Sequence, residues 1–370
     1  MQIDFHYGTT YVIARLAGYP REDAHTIATA AQYIDDAVHD GPVRFENDAL
    51  YDFESSAHKM LDYRNFSDLK NHLAWIPFHF LPGNEFDVES QVPEFIQRIV
   101  CKPNSEVAQA MLRAALQRKG NLHLLGVTAH VYVDTWAHQG FAGISHEVNE
   151  VVSIHDHQGD LDHEMEKRRK SFYKCQHYGK RAFSLAKALG LSKLVDRFKI
   201  AFVNDLGPLG HGPALAYPDL PYLKWCYKTK LGERIERDNT QIFMDACRHL
   251  FRFFLQARGE EARGMLATDE AAILTLLQFE DKDEFKRLAE WYAAIESGVF
   301  SFGSESSQYD VNEWIRDALN IDNEADVKKM KFPFEESFMS SDWKQMQDAI
   351  HLHRHTILHE ILPQFKLCIA

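Results

Sequence analysis

His130, Asp134 and His138 stand four residues apart in the stretch NLHLLGVTAHVYVDTWAHQGFAG, Asn121 to Gly143. At about 3.6 residues per turn, that spacing lines an imidazole, a carboxylate and a second imidazole along one stripe of a helix. His123, seven residues before His130, falls on nearly the same line. The remaining faces carry Leu124, Leu125, Val127, Val131, Val133 and Trp136, so the helix is expected to be buried. One His–Asp pair at this spacing would read as an internal hydrogen bond. Three such groups in succession on an apolar helix are costly to bury unless a shared cation joins them. Donors at i and i+4 on a rigid backbone are the arrangement of helix-borne zinc pairs. Imidazole and carboxylate donors suit zinc and leave manganese and iron open. Gly126 and Gly140 bracket the run, as expected where another backbone comes close.

Other stretches offer groups of the same type. His79 lies in NHLAWIPFHFLPGN, enclosed by Phe78, Phe80 and Leu81 and closed by Pro82-Gly83, and so requires a polar partner or a metal. His72 competes with it. Asp35 and Asp36 end the helix REDAHTIATAAQYIDD, where acids are disfavoured by the helix dipole unless one turns inward to a task. His211 and Asp219 sit in NDLGPLGHGPALAYPDLPYLKW, whose glycines and prolines exclude a regular element. A rigid loop framed by Tyr217, Tyr222 and Trp225 is suited to carry binding groups. His146 and Glu150, at i+4, form an alternative pair, although HEVNE lacks the second histidine of a zincin motif. The terminal cluster His351, His353, His355 and His359 reads as a mostly solvated helix face, and His155, His157 and His163 as surface groups.

The elements that must position these groups read as helices. A short apolar helix over Phe5 to Ala17 breaks at Gly18-Tyr19-Pro20, and Pro20 starts the next with Glu22 and Asp23 near its positive end. Residues 40 to 70 are polar and irregular, and SEVAQAMLRAALQRK is an amphipathic helix. Ile144 to His163 reads as loop or frayed helix, and Glu164 to Phe202 as two helices with basic faces. From Leu223 onward the pattern is helical, with TQIFMDACRHLFRFFLQAR, DEAAILTLLQFEDKDEFKRLAEWYAAI, VNEWIRDALN and a last helix showing core faces at i, i+3, i+4 and i+7. Strand signals are nearly absent. The expected fold is therefore an all-α multi-helix bundle. A metal-binding region over residues 1–225 is followed by a helical region over 226–370 packed on it as one compact unit.

The bulk properties narrow the function. Hydrophobic content of 45% and charged content of 26% over 370 residues describe an ordinary globular chain. A net charge of −13 argues against a general nucleic-acid backbone binder. Bound metal ions could supply positive charge locally, so a nuclease stays open. Five scattered cysteines without a CxxC suggest neither a disulfide framework nor a thiolate zinc site. No basic leader with an apolar core is visible, and no run of 18 apolar residues occurs. A cytoplasmic location is the default expectation, with signal-independent export and transient membrane contact open.

Together, GVTAHVYVDTWAHQG and these outlying groups resemble the zinc-dependent phospholipase C superfamily, which includes single-strand-specific zinc nucleases. The resemblance covers about residues 1 to 225. It implies an all-α fold with a buried cluster of two or three zinc ions. His130, Asp134 and His138 match the family's central helix. The implied further ligands are His6, then Asp35 or Asp36, then His79, and finally His211 with Asp219 or His146 with Glu150. The chain departs from the secreted enzymes, which begin at a processed tryptophan whose backbone binds metal, whereas this one begins at Met1. The gap from Asp134 to His138 is also shorter, which keeps mono- and dinuclear sites open. The resemblance implies hydrolysis of a phosphoric ester, phospholipid or smaller, by metal-activated water, with Asp35 or Asp36 orienting or deprotonating that water. Tyr7, Phe78, Phe80, Trp136, Phe141, Tyr217 and Trp225 are candidates for the substrate pocket. A nuclease or phosphomonoesterase on the same site, and a scaffold or effector tied together by metal, are the competing readings.

Overall fold

The computed structural model of the chain describes residues 1–58, 68–156, 158, 160–163, 166–170 and 209–369. A π-helical turn (Asp4–Thr9) runs into α1 (Thr10–Leu16), followed by α2 (Arg21–Asp36), the strands β1 (Gly41–Arg44) and β2 (Leu50–Phe53), and α3 (Asp68–Phe78). Next come α4 (Glu94–Ile99), α5 (Glu106–Leu116), α6 (Leu122–Ala137) and β3 (Val151–Asp156). The rest comprises β4 (Lys224–Thr229), β5 (Arg234–Asp238), α7 (Asn239–Arg258), α8 (Ala267–Leu277), α9 (Glu284–Ser297), α10 (Glu313–Leu319) and α11 (Asp342–His355). The two helices expected over Glu164 to Phe202 lie largely outside the described residues.

The helix carrying the His–Asp stripe is the axis of the molecule. Asn121 caps α6 by accepting the Leu124 amide at 2.8 Å, and every side chain from His123 to Ala137 is buried. A helix apolar around most of its circumference has to be enclosed on all sides, and α6 packs against α2, α3, α5, α7 and α11. Gly126 sets the closest approach. A Cβ there would lie 2.4 Å from the Ile27 carbonyl oxygen and 2.6 Å from Ala30 Cβ, so only glycine lets α2 settle against α6.

The all-α expectation is wrong. Of the described residues, 55% are helical and 10% are in strand, with a two-stranded and a three-stranded antiparallel sheet among them. β1 and β2 form a hairpin within residues expected to be irregular. β3 lies in the stretch expected to be loop, and β4 and β5 in the stretch expected to be helical. These strands are four to six residues long, too short for an alternating pattern to stand out. The partner of β3 lies about 70 residues further on, a pairing that local periodicity cannot reveal. The long run expected after Thr268 is also two helices, α8 and α9, with Asp283 capping the second by accepting the Phe285 amide at 2.9 Å. Of the terminal histidines, His353 is buried and hydrogen-bonded to the Pro77 carbonyl at 2.9 Å, not solvated.

Two cores result. The larger one joins residues from Met1 to Leu367, so α7 to α11 share it with α1, α2 and α6. The smaller one, with Phe80, Phe141, Ile154, Tyr217, Trp225 and Tyr227, lies between the β3–β4–β5 sheet and the loop over residues 209–222. A buried ion pair ties the N-terminal turn to α9. Arg287 donates to both oxygens of Asp4, at 2.6 and 3.1 Å, and both residues are almost wholly buried.

Two stability measurements test this account. Gly126→Ala should lose about 1–3 kcal/mol in urea unfolding through overpacking against α2. Arg287→Met should cost about 3–5 kcal/mol by leaving Asp4 buried and unpaired, and adding Asp4→Asn should recover much of that loss.

Candidate metal centre

Five segments meet at the inward stripe of α6. His130 and Asp134 come from α6 itself, and His138 caps its C-terminal end. Asp35 comes from the last turn of α2, His79 follows α3, and His6 sits in the π-helical turn. π-Helical turns expand the backbone locally and recur at functional sites; this one presents His6 with its ring stacked on His130, centroids 3.8 Å apart. His211 and Asp219 stand on the loop that the smaller core supports. Asn239 pins that loop by donating to the carbonyls of Tyr217 (2.7 Å) and Leu220 (2.8 Å), while Trp225 donates to Asn239 at 3.1 Å. The sheet missing from the sequence reading is thus what holds two of the site residues in place.

The donors fall into two groups. In the first, Asp134 lies 3.3 Å from His6 Nε2, 3.3 Å from His130 Nε2 and 3.4 Å from His79 Nδ1. Asp35 stands 3.8 Å from His6 Nε2, 3.8 Å from His79 Nδ1 and 3.9 Å from His130 Nε2. In the second, Asp219 lies 3.4 Å from His138 Nε2 and 3.5 Å from His211 Nε2. Among the described residues, three sets of three could each hold an ion, namely His6–His130–Asp134, Asp35–His79–His130 and His138–His211–Asp219. The first two share His130 and amount to one position. The Met1 amine lies 2.8 Å from Asp134 Oδ1 and 3.2 Å from Asp219 Oδ1, between the groups. Burial opposes its charge, but Asp134, Asp219 and Asp35 outweigh that and push its pKa up to about 11.

The outward nitrogens decide which ring atoms face inward. His130 Nδ1 is 2.8 Å from the Ala31 carbonyl, His138 Nδ1 2.6 Å from the His79 carbonyl, and His211 Nδ1 2.9 Å from the Leu215 carbonyl. His79 Nε2 is 3.2 Å from the Ser56 carbonyl. A carbonyl only accepts, so each of these nitrogens carries the proton and the opposite one presents a lone pair. His79 Nδ1 and His130 Nε2 then face each other at 3.3 Å as two acceptors. Neither nitrogen of buried His6 makes a hydrogen bond among the described residues, and Asp219 Oδ1 is faced there by the Met1 amine at 3.2 Å and His138 Nε2 at 3.4 Å. Protonation is a poor remedy. Burial lowers the pKa of His79 and lowers that of His130 further, and it holds His6 and His211 at about 4 although Asp134 and Asp219 pull the other way. Asp35 is raised well above the ordinary carboxylate range by burial and then by Asp134. Lone pairs converging in a low-dielectric interior, with outward N–H groups fixed by carbonyls, form a donor set that could hold a metal ion, with an outer shell to orient it. The residues present fit divalent ions.

The remaining candidates sort as follows. Asp36 belongs to neither donor group; its Oδ2 accepts from Tyr309 at 2.6 Å and from Gln32 at 3.1 Å. His146 and Glu150 are not at the centre, because His146 caps the Val148 amide at 3.1 Å and Glu150 pairs with Lys230 at 3.1 Å. His123 leaves the stripe for Asp342, 2.9 Å away, and His72 bonds the Ile369 carbonyl at 2.7 Å. A cavity of about 600 Å³ opens over the donors, lined by Trp75, Phe80, Gln32, Asp36, Glu284 and Tyr309 among others. Of the aromatic pocket candidates only Phe80 lines it; Tyr7, Phe78, Trp136, Phe141, Tyr217 and Trp225 are packed in the cores. Glu284, Phe285, Tyr309, Asp310 and Val311 come from beyond residue 226, and the sequence carried no sign that they reach the site.

Fold and site together define a mostly helical protein, carrying two small sheets, with a buried histidine–aspartate centre under an open cavity. The chain belongs to the family described as "Family of unknown function (DUF6765)", which it matches over residues 1–361. No curated protein and no solved structure matches it.

Elemental analysis should find about two equivalents of a divalent metal, and chelation should lower the melting temperature, since ions that bind only the folded state stabilise it by mass action. Asp134→Ala should reduce the content at both positions, whereas His211→Ala should remove about one equivalent. Equal metal content in both variants and wild type would refute the assignment.

Proposed function

We propose that this protein is a metal-dependent hydrolase of phosphoric esters, similar in its chemistry to the zinc-dependent phospholipases C. The observation that carries the reading is the facing pair of His79 and His130, acceptor against acceptor within a set of carboxylates at the floor of an open cavity. A structural site is closed by its protein ligands, whereas a catalytic one keeps a position for water and substrate. The cavity over these donors favours catalysis over a scaffold.

His6, His79, His130, Asp35 and Asp134 would hold one ion, and His138, His211 and Asp219 a second. When bound, such ions lower the pKa of a water ligand from about 15.7 to about 7 and neutralise charge developing on phosphoryl oxygens. Asp134, between the groups, keeps both sets of donors in register. Asp36 lines the cavity outside both donor sets, and its assigned role is proton transfer. It takes a proton from the attacking water as the new oxygen–phosphorus bond forms, then returns it to the leaving alkoxide as the old bond breaks. Trp75 and Phe80 give the cavity an apolar wall against which an ester substituent can rest and water is displaced.

A second reading, a nuclease on the same centre, draws less support. The described lining residues include Glu284 and Asp310 and no Lys or Arg, an environment that repels a polyanionic strand. Zinc is the ion best matched to these donors, with manganese and iron as alternatives.

Zinc-loaded protein should hydrolyse bis(p-nitrophenyl) phosphate or a phospholipid headgroup ester. Asp36→Asn should lower kcat about 10²- to 10⁴-fold, the range for loss of a general base, while metal content stays at the wild-type level. Metal-loaded wild type that turns over no diester, monoester or single-stranded DNA would overturn the proposal.

A further inference from the structure

Asp36, an acid from α2 at the cavity, is held by a group from the far end of the chain. Both of its hydrogen bonds fall on the same oxygen, Oδ2, from Gln32 one turn earlier on α2 and from the Tyr309 hydroxyl 273 residues away. Oδ1 has no hydrogen bond among the described residues. Tyr309 lines the cavity beside Asp36, so the pair stands where a substrate would lie.

The segment that delivers Tyr309 has neither helix nor strand over residues 303–310, yet it is fastened at several points. Glu305 takes a forked pair of bonds from Arg15 at 2.7 and 2.9 Å and a third from the Tyr11 hydroxyl at 2.8 Å. Ser307 Oγ is 2.6 Å from the Tyr7 hydroxyl, and the Tyr309 amide donates to the Tyr292 hydroxyl at 3.0 Å. The Tyr309 ring packs beside Tyr7, centroids 5.4 Å apart. Three of these anchors come from the same N-terminal stretch, the π-helical turn and α1, whose first turn carries His6. The metal-binding face and the segment bearing Tyr309 are thus referenced to one rigid element.

We propose that Tyr309 is a positioning residue for this reaction: by donating to Oδ2, it turns the Asp36 carboxylate so that Oδ1 meets the attacking water. The inference rests on the phosphoric-ester reading above. A carboxylate at a helix end has two free torsions, and fixing it from two sides converts binding geometry into rate without adding affinity for the ground state. Tyr309 therefore acts on kcat and leaves both substrate affinity and metal binding as they are.

The test uses full-length protein loaded with zinc, with bis(p-nitrophenyl) phosphate as substrate and zinc content measured in parallel. Tyr309→Phe keeps the ring and its packing and removes only the donor. Its kcat should fall roughly tenfold or more with KM changed less than about twofold, the signature of an interaction made only in the transition state. Zinc content should equal that of wild type. Ser307→Ala, which loosens the segment, should show a smaller fall of the same kind. A wild-type kcat in Tyr309→Phe overturns the inference alone, and so does a loss of zinc that accounts for the fall in rate. Zinc-loaded wild type that turns over no phosphoric ester overturns the functional reading and this inference with it.

Discussion

A carboxylate that is 1% exposed must be compensated by its surroundings, and Asp134 in the middle of α6 governs everything placed near it. Burial works against its charge, yet His138, the Met1 amine, His130 and His6 together hold its pKa well below the usual carboxylate range. His130 and His138 belong to α6 and its C-cap, while Met1 and His6 come from the N-terminal stretch, so the buried charge is where the start of the chain meets the helix. Removing it would leave His6, His79 and His130 with only the more distant and more exposed Asp35 in common. The close seating of α2 on α6 at Gly126 serves the same end, because it carries Asp35 and the Ala31 carbonyl to the stripe.

The imidazoles are aimed by backbone as much as by their own positions. Ala31, Ser56, His79 and Leu215 each offer a carbonyl to an outward ring nitrogen. A main-chain carbonyl cannot rotate away without disturbing its element, so the tautomer and tilt of each ring are set by the packing of helices and loops. This explains why a small sheet matters to a helical protein. By packing on Tyr217 and Trp225 and pinning the loop through Asn239, it fixes His211 and Asp219 within 3.5 Å of each other and Asp219 within 3.4 Å of His138.

The chain beyond residue 226 is more than a buttress. It shares the larger core with α1, α2 and α6, pairs Arg287 with Asp4 beneath the turn that bears His6, and places Glu284 and Tyr309 in the cavity wall. The first part of the chain supplies the inward donors, and the last part supplies part of the wall facing whatever enters. The cavity wall draws on both parts of the chain, from Met1 to Asp219 and from Glu284 to Val311.

The stripe on α6 was legible because its cause is local. Helical periodicity alone puts His130, Asp134 and His138 on one line, and the apolar residues between them declare the helix buried. His79, Asp35, His211 and Asp219 were legible one at a time, as polar groups whose immediate neighbours gave no reason for them. What sequence could not settle was convergence. Asp35 and Asp36 differ by one position and by about 100° of helical turn, which sends one to the imidazoles and the other to Gln32 and Tyr309. His146 and Glu150 have the same spacing as a ligand pair but belong to a segment that the β3–β4 pairing carries away from the centre. The strands themselves were missed because four to six residues are too few to show a period, and their partners lie far along the chain. Local chemistry thus determined which residue types could bind an ion. Only long-range packing, through the Gly126 contact, the small sheet and the Asp4–Arg287 pair, decided which of them meet.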